Sequence, residues 1–317
     1  MDLSYEVMKF GGSCLSAAED YENAAKIISM YTKPAVVVSA MKGITEELLE
    51  LSEMTELNKV MEKISNIRSM HMETAEKIKN PAARTQAAEE IRKLFRELNR
   101  IVVYRKGRNN REVKPLILSY GEKLSSLLMK WYLASNDIPA SEIFANEVIV
   151  SSDENILEAT ADESKSRDLL IQRLSTLMTL GRIPVITGFF CRTPSGKTAI
   201  LGRNSSDYTA ALVSASLKGS SLTFWKDVPG LMTGDPKFVK NCRILREIGY
   251  DEAASFISNG AKILHSKVIS LSRENNVPIR IRDFRNPEDM GTLISGTPEC
   301  KPSDFMNPAA VQNLFSM

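Results

Sequence analysis

The sequence predicts an α/β fold in which a mainly parallel sheet is covered by helices. Three observations carry that expectation. Short β-rich segments alternate with helical patterns through most of the chain, the signature of βαβ units. Two of those segments, PAVVVSA at 34–40 and RIPVITGFF at 182–190, are apolar runs suited to buried strands. The chain has 317 residues, 43% hydrophobic and 25% charged, enough for one large domain or a main domain with a small appendage, and unlike a disordered or fibrous protein.

Taken in order, YEVMKF at 5–10 is a strand, followed by a helix over 18–31, the strand PAVVVSA and a helix from about Thr45. Strands then stop from about 55 to 110, where a helical hairpin is inserted. In ISNIRSMHMETAEKI the residues Ile64, Ile67, His71, Ala75 and Ile78 share one helical stripe, so they face a core. His71 reads as a hydrogen-bonded core histidine, since no second ligand stands four residues away. YRKGRNNREVK at 104–114, with Gly107, Asn109 and Asn110, reads as a solvated loop between helices.

The α/β pattern resumes with PLILSYGEKLSSLLMKWYLA, a strand-like start leading into a helix, then ASEIFANEVIV and a helix over about 163–180. After RIPVITGFF comes the polar turn CRTPSGKTAI, then LGRNSSDYTAALVSASL, whose second half is helical. SLTFWKDVPGLMTGDP is a strand opening into a Gly/Pro-punctuated loop, followed by helices within 250–274 and the strand VPIRIRDF. After GTLIS the chain turns polar, and 296–317 is assigned as a tail.

Forty-one Lys and Arg against 39 Asp and Glu leave a formal charge of +2, which gives no reason to expect nucleic-acid binding. Cys14, Cys191, Cys242 and Cys300 are widely spaced, which argues for a reduced compartment and against structural zinc. The first residues carry neither a basic segment nor an apolar signal region, and no apolar run approaches ~18 residues. A cytoplasmic protein without a membrane partner is expected.

Four clusters could carry chemistry. In KFGGS, Lys9 supplies a point charge at a strand end, Gly11 and Gly12 leave backbone N–H groups open, and Ser13 can donate another bond. That corner suits a polyphosphate, and equally a tight turn. In LGRNSSDYTAAL, Arg203, Asn204, Ser205, Ser206 and Asp207 precede an apolar helix. Ser206 or Asp207 could be its N-cap, while an anion could meet both the guanidinium and the helix start. In SYGEKLSS, Glu122 begins a helix, where it could favour the helix dipole or recognise a substrate ammonium. SAMKGITEE offers Ser39, Gly43 and Thr45 at another strand end, where a helix start is the plainer reading. SGKT at 195–198 is no P-loop, because Cys191 stands where its first glycine belongs. A β-hairpin tip is expected there instead.

Together KFGGS, VVVSAMKGIT, SYGEKLS, TGFF, LGRNSSDYTAAL, WKDVPGLMTGDP, GAKILHS and GTLIS resemble the aspartate kinase branch of the amino acid kinase family, in family order over about residues 5–295. The resemblance implies a three-layer αβα sandwich with an eight-stranded, mostly parallel sheet. It implies a catalytic domain over 1–295, with an amino-acid lobe to about 200 and an ATP lobe over about 201–295. Lys9 and Asp207 would be catalytic, the aspartate orienting the lysine. Thr45, Glu122, Arg203 and Ser206 would hold L-aspartate, Glu122 facing its ammonium and Arg203 its α-carboxylate. ATP, with Mg²⁺ bound through its phosphates and no protein metal site, would meet Lys9, Gly11, Gly12, Ser13, Lys226, Asp227, Met232, Lys237 and Lys262. The implied reaction phosphorylates the β-carboxylate of aspartate, opening the route to lysine, threonine and methionine. The alternatives are a kinase of the same fold acting on another small amino acid, or a non-catalytic regulatory subunit.

Several positions depart from that pattern. Asn204-Ser205 replaces a usual Gly-Gly, Lys226 a small residue, Met232 an aromatic and Lys237 an arginine. The family's two C-terminal ACT domains have no counterpart in the ~22 residues after GTLIS, too few for a domain with its own core. Feedback inhibition through a fused ACT domain is therefore not expected. A homo-oligomer and a separate ACT-domain regulatory chain remain open as partners.

Overall fold

The apolar runs become the centre of one sheet. The computed structural model describes residues 5–104, 110–202, 205–217, 220–234, 242–258 and 264–296. Its strands are β1 (Glu6–Phe10), β2 (Pro34–Val38), β3 (Ala140–Ile143), β4 (Ile183–Thr187), β5 (Phe190–Arg192), β6 (Thr198–Ile200), β7 (Ser221–Lys226), β8 (Glu247–Gly249), β9 (Ile279–Asp283) and β10 (Thr292–Ser295). The helices are α1 (Ala18–Ser29), α2 (Ile44–Glu53), α3 (Leu57–Glu76), α4 (Pro81–Tyr104), α5 (Asn110–Leu118) and α6 (Tyr120–Ser135). They continue with α7 (Ala145–Val148), α8 (Glu163–Thr179), α9 (Ser205–Ser216), α10 (Tyr250–Ser258) and α11 (Ser266–Glu274).

The main sheet runs β3-β4-β2-β1-β7-β9-β10-β8, parallel throughout except between β9 and β10. Successive side chains of a strand face opposite ways, which divides the core in two. Met8, Phe10, Val36, Val38 and Trp225 pack beneath α1–α6, whereas Val7, Ala35, Val37, Ile186 and Phe224 pack beneath α7–α11. The three-layer αβα architecture is thus present, with its core parted by the sheet. Phe10 stacks on Trp225 at 6.2 Å and meets Phe284 edge-on at 6.0 Å, pairs worth about 0.5–1.5 kcal/mol each beyond area burial. They pin β1 to the β7–β9 side.

The inserted hairpin is α3 and α4, and all five stripe residues are buried. His71 Nδ1 donates to the Ile67 carbonyl at 2.7 Å, and burial lowers its pKa to about 4, so it is a neutral core residue. The CRTPSGKTAI turn is the tip of the antiparallel β5–β6 hairpin, as expected.

Some readings differ. PLIL is not a strand but the end of α5, with Pro115 inside the helix. A short apolar run looks alike in either state, and here Val113, Ile117 and Leu118 are buried against the first core. The expected 104–114 loop likewise ends at Asn110, where α5 begins. Ser206 and Asp207 are not N-caps, because α9 already starts at Ser205 and places both in its first turn. The three-residue β8 had too little pattern to be read.

No helix among the described residues is long and apolar enough to cross a membrane.

Candidate active site

In an open α/β sheet, ligands bind beyond the carboxyl ends of the strands, where neighbouring connections leave in opposite directions. Here β1 has β2 on one side and β7 on the other, which opens such a crevice at Lys9 and Phe10. A cavity of about 720 Å³ lies there, within the usual range for small-ligand sites.

Lys9 is the penultimate residue of β1, on the face of the sheet that α9 covers. Its Nζ lies 2.7 Å from Asp207 Oδ1, and both side chains are almost wholly buried. The other carboxylate oxygen of Asp207 lies 3.3 Å from Lys226 Nζ, at the end of β7. Burial would raise the Asp207 pKa, but the charges of Lys9 and Lys226 outweigh it and hold the carboxyl below its usual range. Gly11, Gly12 and Ser13 wrap the same end of β1. A Cβ on Gly11 would stand 3.3 Å from Lys9 Nζ and one on Gly12 3.1 Å from the Ala40 carbonyl, so the two glycines leave a cradle beside the ammonium.

Glu122 reaches the cavity from the first turn of α6. A Cβ on Gly121 would lie 2.8 Å from Ala40 Cβ, so this glycine lets the start of α6 press against the end of β2. Glu122 Oε1 then accepts the Ala40 N–H at 3.2 Å, while Oε2 is buried without a hydrogen-bond partner. Burial pushes the carboxyl up to about 8, against a smaller pull from the Ala40 N–H. A buried side-chain oxygen without a partner is a place where a bound ligand could supply one. Thr45, in the first turn of α2, lines the cavity nearby.

Ser206 and Asp207 line the third side. The α9 start sits unusually close to the end of β4: a Cβ on Gly188 would stand 2.4 Å from Ser206 Cβ and 2.7 Å from its Cα. Gly188→Ala is expected to part these elements and cost on the order of 1–3 kcal/mol, read as a lower melting temperature together with weaker amino-acid binding. An unchanged melt would show that the contact can relax freely. Phe189 follows with φ +76, a left-handed conformation costly for a bulky residue. Its carbonyl accepts the Leu201 N–H at 2.9 Å, which helps to hold it there.

Of the expected site residues, Lys9, Gly11, Gly12, Ser13, Thr45, Glu122, Ser206, Asp207, Lys226 and Asp227 all line this one cavity. Met232 is not among its lining residues and instead forms a β-bridge with Ile244. Arg203, Asn204, Lys237 and Lys262 lie outside the described residues. The Ser205 half of the Asn204-Ser205 departure is directed inward, its hydroxyl donating to the Gly202 carbonyl at 2.7 Å. The cavity is also walled by Leu49, Leu118, Leu157, Phe189 and Ile200, with Lys42 at its edge. Lys42 falls within VVVSAMKGIT and Phe189 within TGFF, Leu118 and Ile200 within stretches with only a structural reading, and Leu49 and Leu157 carry no motif. Among the described residues no group of three or more His, Cys, Asp or Glu side chains is placed to hold a metal ion.

The sequence profile of the amino acid kinase family matches residues 5–283. The chain belongs to the amino acid kinase family. Within it, the chain is 31% identical over 312 residues to the bifunctional aspartokinase/homoserine dehydrogenase of Buchnera aphidicola, covering 95% of this chain and 38% of that protein. It is 29% identical over 297 residues to the lysine-sensitive aspartokinase 3 of Escherichia coli, covering 93% and 65%. The crystal structure of E. coli aspartokinase III in complex with aspartate and ADP superposes with a TM-score of 0.86 at 28% identity, over 93% of this chain and 65% of that one. The chain therefore spans between about two fifths and two thirds of these relatives. A UMP kinase from Ureaplasma parvum, at 13% identity and TM-score 0.54, shares the fold alone.

Proposed function

We propose that the chain is an aspartate kinase that transfers the γ-phosphoryl group of ATP to the β-carboxylate of L-aspartate, giving 4-phospho-L-aspartate. The observation that carries this reading is the buried, half-satisfied Glu122 carboxyl in the same cavity as the Lys9–Asp207 pair. One end of the cavity asks for a cation and the other for an anion, which an amino acid and a nucleotide phosphate supply. The E. coli relative bound to aspartate and ADP supports the pairing of ligands.

In this reading Glu122 takes the α-ammonium, with Thr45, Ser206 and Arg203 around the rest of the amino acid. Lys9 meets the transferring phosphoryl group, with Gly11, Gly12 and Ser13 about the phosphates and Asp207 orienting the lysine. Residues to about 200 then form the amino-acid lobe, to which Arg203 and Ser206 are added, and 201–295 the nucleotide lobe, with Lys226, Asp227, Lys237 and Lys262 joining Lys9 and its glycines at the nucleotide. The acceptor carboxylate is already ionised at neutral pH, so the reaction needs no general base. What the residues contribute is alignment and neutralisation of charge. When bound, Mg²⁺ on the phosphates adds further neutralisation, with no ligand set required from the protein.

The test is an ATP-dependent assay in hydroxylamine, which traps acyl phosphates and leaves phosphate esters untouched. Hydroxamate with L-aspartate, and not with glutamate or homoserine, is the expected result. ADP release with another amino acid and no hydroxamate would move the acceptor to a hydroxyl and overturn the proposal.

A further inference from the structure

Lys226 stands where the resemblance leads one to expect a small residue, and the structure brings it into the reaction crevice. In the β1–β7 register Lys9 lies opposite Phe224. Residues two apart on a strand share a face, so Lys226 projects from the same face as Lys9, one step nearer the carboxyl end. Its ammonium lies 5.7 Å from the Phe224 ring centroid and 3.3 Å from Asp207 Oδ2. Asp207 thus holds two lysines, one on each oxygen.

The charge count is what makes this unusual. Two ammonium groups share one carboxylate, leaving a net positive charge in a largely buried corner. Glu122 does not cancel it, because burial holds that carboxyl up to about 8. Asp227, the next residue along, is exposed and makes no ion pair with Lys226 among the described residues. Burial lowers the Lys226 ammonium below the usual lysine range, Asp207 offsetting part of this and Lys9 adding to it. An isolated structural ion pair would need one lysine. A pair built to receive an anion gains from a second, because the arriving charge relieves the repulsion between them. The side chain of Lys226 is 20% exposed against 5% for Asp207, so of this pair it is the lysine that is open to the crevice.

We propose that Lys226 is a second phosphate-binding lysine of this kinase, held by Asp207 at the crevice so that it and Lys9 meet the same phosphoryl group from two sides. The inference rests on the ATP-dependent reading above. It also explains why the fold tolerates an extra cation beside Lys9.

Lys226→Met, Lys226→Arg and the unaltered chain would be compared for binding of ATP and ADP by calorimetry, for steady-state kinetics and for thermal stability. The expected result for Lys226→Met is kcat/KM for ATP lower by ~10- to 100-fold with the KM for the amino acid within about 2-fold, and substantial recovery in Lys226→Arg. The melting temperature without ligand should stay level or rise, because a neutral Lys9–Asp207 pair remains. A lower melting temperature with unchanged nucleotide binding and turnover would overturn the proposal and make Lys226 a counter-ion that only holds Asp207. Failure of the unaltered chain to bind ATP would instead overturn the nucleotide reading beneath it.

Discussion

Lys9→Ala is expected to fold normally and to lose at least ~100-fold in turnover, the range for removing one preorganised electrostatic stabiliser. The fold survives because Asp207 is not orphaned: Lys226 still faces its second oxygen at 3.3 Å. Leaving a buried carboxylate with no partner would cost several kcal/mol, and the second lysine prevents that. The loss falls on the chemical step, since the phosphoryl group develops charge where Lys9 stood, while the amino acid is held by other residues. Its KM should therefore move little. Turnover measured by ADP release, alongside a thermal melt, checks both halves. Near-normal turnover in a folded variant would remove Lys9 from the phosphoryl site.

Glu122→Gln is expected to raise the KM for the amino acid by ~10- to 100-fold, because it removes the charge that answers an ammonium while keeping the side chain's shape. The pH dependence follows from the direction of the shift. The folded-state value, about 8, lies above the ordinary 4.5. The folded protein therefore holds this proton more tightly than the unfolded chain does, and the group increasingly opposes folding as pH rises from about 4.5 to about 8. Glu122→Gln removes that opposition, so without ligand its stability advantage over the parent should widen across this window and then level off. Substrate reverses the balance, since an ammionium-bearing ligand beside Glu122 favours the carboxylate. Below pH 8, amino-acid binding should therefore release a proton and tighten with rising pH. Calorimetry in two buffers of different ionisation enthalpy measures the release. No proton release, together with an unchanged KM in Glu122→Gln, would place the ammonium elsewhere.

The layer order of the molecule was legible because it rests on period and run length. PAVVVSA and RIPVITGFF are short and rich in β-branched residues, which favours strands over helix, although the second run ends its strand at Thr187 and gives Phe190 to β5. The stripe through His71 repeats at helical spacing and faces the core. The failures were local. PLIL had strand-like residues but too few positions to separate the two periods, and burial against the helical layer decided for helix. Ser206 and Asp207 have residue types that suit a cap, yet a helix start is set by backbone geometry that residue type only biases, and α9 begins at Ser205.

The site divides along the same line. Residue types at a strand end and at two helix starts marked Lys9, Glu122 and Asp207 as chemical candidates, each with a plain structural use beside it: a tight turn for Lys9 and its glycines, the helix dipole or a cap for the two acids. Only the tertiary structure decided how they combine. Parallel pairing of β1 with β7, which sets Lys9 opposite Phe224, puts Lys226 on the face of Lys9. Close packing at Gly121 and Gly188 then brings Glu122 and Asp207 to that crevice. Burial of Glu122 without a second partner, and the sharing of Asp207 by two lysines, depend on distances between segments that no local pattern encodes, because charge and desolvation act through space and not along the chain.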